Sequence, residues 1–315
     1  MNRQIRANPI WYMSLQLGGK RWDVWWKLLR PHTLTASFVP VAIGTALALP
    51  TGNLELLLFF FMLTASILIQ AATNMFNEYY DFVRGLDQKD SVGIGGTIVR
   101  EQVKPRIILR LAVLFSLTAV LLGVYLAAKT SWWIFAIGIL CIFVGYFYSG
   151  GPFPISATPF GELVSGLFMG LVIILISFFI QTGYITLTSI LASIPTSCLI
   201  GAILMANNIR DLDGDKEHGR KTLAILLGHR PAVYCLGGLF LFSYLWLVGL
   251  VVLNDLPSWT LLALLSLPKA RQSILGFWQK RSPLEMMPAM QAAAQTNTLF
   301  GLLLAGALLL HHILS

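Results

Sequence analysis

The sequence predicts an all-α polytopic membrane protein, a bundle of nine crossings, and three observations carry that prediction. Of 315 residues 56% are hydrophobic and only 11% charged, where a soluble domain carries about a quarter charged residues. Mean hydropathy is +0.73. The charges that do occur are gathered between long stretches holding no Asp, Glu, Lys or Arg, most of them near the roughly 20 residues that a helix needs to span hydrocarbon.

Residues 1–33 come first, with Trp11, Tyr12, Trp22, Trp25 and Trp26 alternating with Lys20, Arg21, Lys27 and Arg30. That mixture is expected along a cytoplasmic membrane interface, and one transmembrane domain, 34–315, follows. Its first four helices are expected in 34–54, 56–77, 111–128 and 130–161. The 47-residue stretch 163–209 is too long for one helix and divides at Gln181-Thr182-Gly183 into the fifth and sixth. The seventh lies in 231–254 and the ninth in 286–315. Between them 256–268 has only 13 residues and crosses only if the stems of Lys269 and Arg271 snorkel. The first apolar run starts near Leu34 with no typical cleavage site after it, so a removed leader is not expected.

Orientation follows from the basic residues. With the N-terminus inside and nine crossings, 21 Lys and Arg fall on the cytoplasmic side and Lys129 alone falls outside. Dropping one helix would destroy that alternation. The net charge of +8 is thus a topology signal and not a nucleic-acid footprint. Cys141, Cys198 and Cys235 stand singly in apolar runs, which indicates neither a disulfide framework nor a zinc site.

The carboxylates are not scattered. Nine of the 14 lie in two inside segments: Glu78, Asp81, Asp87, Asp90 and Glu101 after the second helix, and Asp211, Asp213, Asp215 and Glu217 after the sixth. If those helices continue to their cytoplasmic ends, Asn77 and Asp81 are i, i+4 neighbours, and Asn207, Asp211 and Asp215 share one face. Asp213 and Glu217 then face water. The shared Asn-x-x-x-Asp recurs at an offset of 130 residues and four helices, a weak parallel repeat that brings both acidic faces to one central cavity. Carboxylates held face to face repel unless a cation sits between them. Hard oxygen donors suit Mg²⁺, commonly shared with substrate phosphates, and Arg84, Lys89, Arg100, Lys104, Arg210, Lys216, Arg220 and Lys221 stand nearby. Metal and fixed cations together fit a departing diphosphate. An apolar bundle beneath them fits a hydrophobic remainder, so an allylic isoprenyl diphosphate satisfies both halves.

At these residues the sequence resembles the UbiA superfamily of intramembrane aromatic prenyltransferases, and within it the branch that prenylates 1,4-dihydroxy-2-naphthoate in menaquinone synthesis. The matching pieces are Arg30-Pro31-His32-Thr33-Leu34, Asn77 through Asp87, Gly95-Gly96-Thr97-Ile98-Val99-Arg100, Tyr148-Ser149-Gly150-Gly151-Pro152, Gly161-Glu162, Asn207 through Gly228, and Gln295-Thr296-Asn297-Thr298. Glu78 stands where many relatives have Asp, and the Asp-x5-Asp spacing from Asp81 to Asp87 favours the naphthoate branch over the ubiquinone branch. The resemblance implies a nine-helix UbiA-type bundle in the cell membrane with its site at the cytoplasmic face. It also implies transfer of a polyprenyl group from polyprenyl diphosphate to the aromatic acceptor, with loss of carbon dioxide, giving demethylmenaquinone.

Carried over by position, the resemblance makes Asp81, Asp87, Asp211 and Asp215 the Mg²⁺ ligands. Asn77, Asn207 and Asn208 complete the polar lining, and Arg100, Arg210 and Lys216 hold phosphate oxygens. Tyr146 or Tyr148 can offer a ring face to an allylic cation or simply pack. Glu162 opens the fifth helix, either offsetting its dipole or meeting an acceptor hydroxyl. Gly150-Gly151-Pro152 reads as a turn or as part of the acceptor pocket. The alternatives are another aromatic acceptor such as 4-hydroxybenzoate, or a secondary transporter, whose coupling site belongs near the midplane.

Overall fold

The computed structural model describes residues 21–52, 54–86, 96–101 and 103–314, so Asp87 and the first 20 residues lie outside the described residues. All regular structure among the described residues is helical. Helix α1 (Arg21–Leu29) leads through Arg30 into α2 (Pro31–Ala48), followed by α3 (Leu56–Val83), α4 (Thr97–Glu101), α5 (Pro105–Lys129) and α6 (Trp132–Ser149). Next come α7 (Gly161–Ser165), a π-helical segment (Gly166–Val172) and α8 (Ile173–Thr182), which form one rod. Helices α9 (Leu187–Arg210), α10 (Leu212–Glu217), α11 (Leu223–Leu227) and α12 (His229–Val252) follow, then a 3₁₀ segment (Ser258–Ser266), α13 (Leu267–Gln279) and α14 (Pro283–Leu314).

Eight helices among the described residues are long and apolar enough to cross a membrane: α2, α3, α5, α6, the α7–α8 rod, α9, α12 and α14. The stretch 256–268 is not the plain α-helix expected. Pro268 has no N–H to bond the carbonyl of Leu264, which an unbroken α-helix requires, and that carbonyl accepts from Leu267 instead. The 3₁₀ segment and α13 run on without a break, and at about 2.0 and 1.5 Å per residue they extend roughly 37 Å.

Lipid-facing and central helices separate by burial. In α6 only 11% of the apolar window is buried, and Leu140, Phe143 and Phe147 form an exposed stripe. In α9 the fraction is 67%. This central helix starts at a capping box, with the Thr186 and Ser189 side chains each accepting the other's backbone N–H at 3.0 and 3.1 Å. Pro195 interrupts its ladder, and the Leu191 carbonyl freed one turn earlier accepts from Trp246 Nε1 on α12 at 3.0 Å. Without water in the bilayer core such a carbonyl must find a protein donor.

Small residues let the π segment press on α9. A Cβ at Gly170 falls 2.5 Å from the Ser197 Cα, and one at Gly166 the same distance from the Ser197 carbonyl oxygen. Backbone cannot yield as a side-chain tip can, so Gly170→Ala has to push α9 away. It is expected to cost about 1–3 kcal/mol and lower the thermal midpoint of the purified protein. An unchanged midpoint would show the helices to be more loosely joined than described.

Candidate functional site

Helices α2, α3, α6 and α9 bring their ends to one mouth. Arg30 opens α2 with φ 51° and ψ 67°, a left-handed conformation that is costly for a non-glycine residue and tends to persist where the surroundings hold it. Its guanidinium donates to Asn77 Oδ1 at 2.7 Å and to Glu78 Oε2 at 3.4 Å. Asn77 in turn donates to Ser149 Oγ at 3.1 Å, tying α3 to the end of α6. Glu78 is fully buried and accepts the backbone N–H groups of Gly96 (3.0 Å) and Ile98 (3.1 Å). It thereby sets the start of α4, which carries Arg100 to the mouth.

Helix α3 continues to Val83 as expected, so Asn77 and Asp81 do share a face. Helix α9 instead ends at Arg210; Asp211 leaves helical geometry and α10 begins after it. The backbone bonds Asp211 N–H to Asn207 O (3.0 Å) and Asp215 N–H to Asp211 O (2.8 Å) survive the break. Asn207, Asp211 and Asp215 consequently all line the cavity, while Asp213 is exposed. Glu217 is exposed too, although it sits on the cavity rim.

The two acidic segments meet through an arginine. Arg220 donates from Nη2 to Asp81 Oδ1 at 3.0 Å and from Nη1 to Asp215 Oδ1 at 3.1 Å, and all three side chains are at most 17% exposed. Arg210 forms a two-pronged pair with Asp211, Nε to Oδ1 at 2.7 Å, instead of standing free for phosphate. Burial pushes the Asp215 carboxyl up to about 6; the Asp211 and Asp81 charges add to the rise, and Arg220 and Arg210 oppose it. Among the described residues no three acidic side chains form a ready-made cage. The donor set is nevertheless hard oxygen throughout: Asp81, Asp211, Asp215, and the amides of Asn77, Asn207 and Asn208 on the same cavity wall. That chemistry fits Mg²⁺ better than a soft metal.

Other expected residues are placed differently. Tyr148 lines the cavity, but Tyr146 does not: its hydroxyl is 2.7 Å from that of Tyr80 and its ring lies edge-on to Phe76. Lys216 is exposed and outside the lining. Glu162 is also outside the lining, buried behind Asn208, whose Nδ2 donates to its Oε1 at 2.8 Å. Gly151 takes the turn, at φ 75°, and Arg84 spends its donors on the Ser149 and Gly151 carbonyls that end α6.

Below the mouth the cavity, about 650 Å³, becomes mainly apolar, with Ser37, Ser66, Gln70 and Thr73 as polar exceptions. Its deepest residues include Met62 near the start of α3, Leu126 near the end of α5 and Ile134 near the start of α6. Met62 and Asp81 lie 19 residues apart on one helix, about 28 Å at 1.5 Å per residue, nearly the hydrocarbon thickness. Helix α6 packs on α3 and α5 but not comparably on α7, the π segment or α8, although Gly138 and Ile142 on one side and Phe168 and Ile173 on the other line the same space.

The family described as the UbiA prenyltransferase family matches residues 37–294. The 1,4-dihydroxy-2-naphthoate octaprenyltransferase of Bacillus subtilis (strain 168) is 54% identical over 290 residues, 92% of this chain and 93% of that protein. Two solved structures share the fold at 15% identity. One is a UbiA homologue from Aeropyrum pernix K1, with TM-score 0.67 over 89% of this chain and 98% of that one. The other is a UbiA homologue from Archaeoglobus fulgidus bound to DMAPP and Mg²⁺, with TM-score 0.61 over 89% and 98%. With its helical membrane architecture and a cavity that is acidic and amide-lined at one end and apolar below, the chain belongs to the UbiA prenyltransferase family.

Proposed function

We propose that this protein transfers a polyprenyl group from an isoprenyl diphosphate to 1,4-dihydroxy-2-naphthoate, with loss of the carboxyl group as carbon dioxide, giving demethylmenaquinone. The observation that carries the proposal is one cavity whose mouth gathers Asp81, Asp211, Asp215 and four arginines while its interior, lined mainly by aliphatic and aromatic side chains with Ser66, Gln70 and Thr73 among them, reaches down to Met62. A diphosphate and a long hydrocarbon have opposite solvation needs, and this cavity meets each at its own end. The naphthoate is supported by the Bacillus subtilis relative.

Asp81, Asp87, Asp211 and Asp215 are the residues to hold Mg²⁺, which when bound supplies charge neutralisation to the departing diphosphate. Asn77, Asn207 and Asn208 complete the polar wall; Arg30, Arg100, Arg210 and Arg220 donate to phosphate oxygens. Tyr148 faces the cavity at the boundary between its polar and apolar parts, where its ring face can meet the positive charge left on the allyl group. The apolar walls keep water from that carbon, so the electron-rich naphthoate ring is the nucleophile that reaches it. The seam between α6 and the α7–α8 rod gives a lipid-dissolved polyprenyl chain a sideways entry. By the positive-inside rule the mouth is on the cytoplasmic face of the plasma membrane, and the 3₁₀–α13 unit is the ninth crossing.

Membranes containing the protein, given radiolabelled isoprenyl diphosphate and a panel of aromatic acceptors, are expected to label the naphthoate product. Labelling of 4-hydroxybenzoate alone would move the protein to another acceptor and leave the site assignment standing.

A further inference from the structure

We propose that Arg220 is a place-holding cation: it occupies the oxygens of Asp81 and Asp215 that the metal needs, and yields them only when diphosphate arrives to take the guanidinium. This rests on the metal–diphosphate reading above and adds to it a reason why metal and diphosphate bind together.

The geometry supplies the argument. One guanidinium spans both acidic segments, donating to Asp81 Oδ1 on α3 and Asp215 Oδ1 on α10, residues separated by 134 positions in the chain. A planar fork can serve two acceptors in this way, whereas an ammonium is a point charge. The backbone that presents it is fixed. Gly219 turns at φ 74°, the Arg220 N–H donates to Asp215 O at 3.0 Å, and the Lys221 N–H donates to Ala157 O at 2.9 Å beside the turn after α6. The side chain above that anchor is long and flexible, so it can exchange partners without moving a helix.

A dication held by the same two carboxylates would lie close to the guanidinium, and two cations repel. Metal alone therefore has to evict Arg220 with nothing to receive it. Diphosphate alone meets the carboxylate charges. Arriving together they let every charge change partner, the carboxylates to metal and Arg220 to phosphate oxygens, for which arginine makes strong two-pronged bonds. Coupling of this kind is reciprocal, so departure of the diphosphate product sends Arg220 back to the carboxylates and loosens the metal. Arg210 on Asp211 repeats the arrangement on the remaining described carboxylate of the proposed ligand set.

A structural clamp and a place-holder predict opposite signs. If Arg220 merely held the segments together, removing it would let the carboxylates repel and separate, and metal would bind more weakly. If it competes with metal, removing it strengthens binding of metal alone. The measurement is Mn²⁺ retained by purified protein on rapid gel filtration, with and without inorganic diphosphate, corrected for the metal–diphosphate complex in free solution. Wild type is expected to gain at least about tenfold in Mn²⁺ affinity from diphosphate. Arg220→Gln is expected to bind Mn²⁺ alone about fivefold or more tighter than wild type and to gain far less from diphosphate, within the usual span of coupling energies. Arg220→Lys, which keeps the charge but loses the fork, falls between, and decides the matter if the Gln variant does not survive purification. Either variant binding Mn²⁺ alone no tighter than wild type overturns the place-holder and leaves the metal–diphosphate reading standing. Wild type that retains Mn²⁺ under neither condition overturns both.

Discussion

Asp81→Asn and Asp215→Asn are each expected to lower turnover by about 10²–10³-fold, the scale on which removal of a preorganised charge at a reacting centre is felt. The exchange keeps size and hydrogen-bonding capacity while deleting the charge that a dication requires, and both side chains are at most 15% exposed on opposite sides of Arg220. Membrane insertion should be unaffected, because neither residue lies in an apolar contact that holds helices together. Asp213→Asn, two residues from Asp215 but exposed and off the cavity wall, should stay within about twofold of wild type. Diphosphate release from purified variants measures all three. Equal damage from Asp213→Asn and Asp215→Asn would mean that charge in the segment matters and its placement does not.

Gly138→Phe is the second large effect. Gly138 lines the cavity on α6, and a Cβ there meets nothing within 4 Å, so a ring grows into the cavity and not into a neighbouring helix. It stands ten residues before Tyr148, about 15 Å below it on the same helix. Long polyprenyl donors must pass that level and short ones need not. Turnover with long donors is expected to fall about tenfold to a hundredfold, the cost of forcing groups into filled space, while dimethylallyl diphosphate keeps most of its rate. Equal loss for both donors would place the tail elsewhere.

What the sequence made legible was whatever rests on local pattern. Apolar length gave eight of the nine expected crossings, because hydrocarbon demands it, and the i, i+4 spacing of Asn77 and Asp81 held because α3 stays helical to Val83. The same arithmetic separated Asp213 from Asp215. Applied to Lys216, next in sequence to Asp215 and therefore well off its stripe, it would have removed that residue from the site; its charge and the family resemblance had put it there. Tyr146 and Tyr148 differ by two positions, more than half a turn on a helix, and choosing between them required knowing which side of α6 meets α3. Arg220 was visible as a basic residue near the second acidic segment. Its bridge to Asp81 depends on α3 and α10 meeting in space and on the Gly219 turn that aims it, which no local pattern encodes. Glu78 was hidden for a similar reason: an acidic residue beside Asn77 looks like a ligand, yet its oxygens are taken by the backbone of Gly96 and Ile98.

The central claim, decarboxylative prenyl transfer at this metal–diphosphate site, is tested most directly by stoichiometry. Purified protein supplied with Mg²⁺, isoprenyl diphosphate and 1,4-dihydroxy-2-naphthoate is expected to release carbon dioxide and diphosphate in equal amounts, and chelation of the metal should stop both together. Diphosphate released without carbon dioxide, or neither released with any aromatic acceptor, would contradict it.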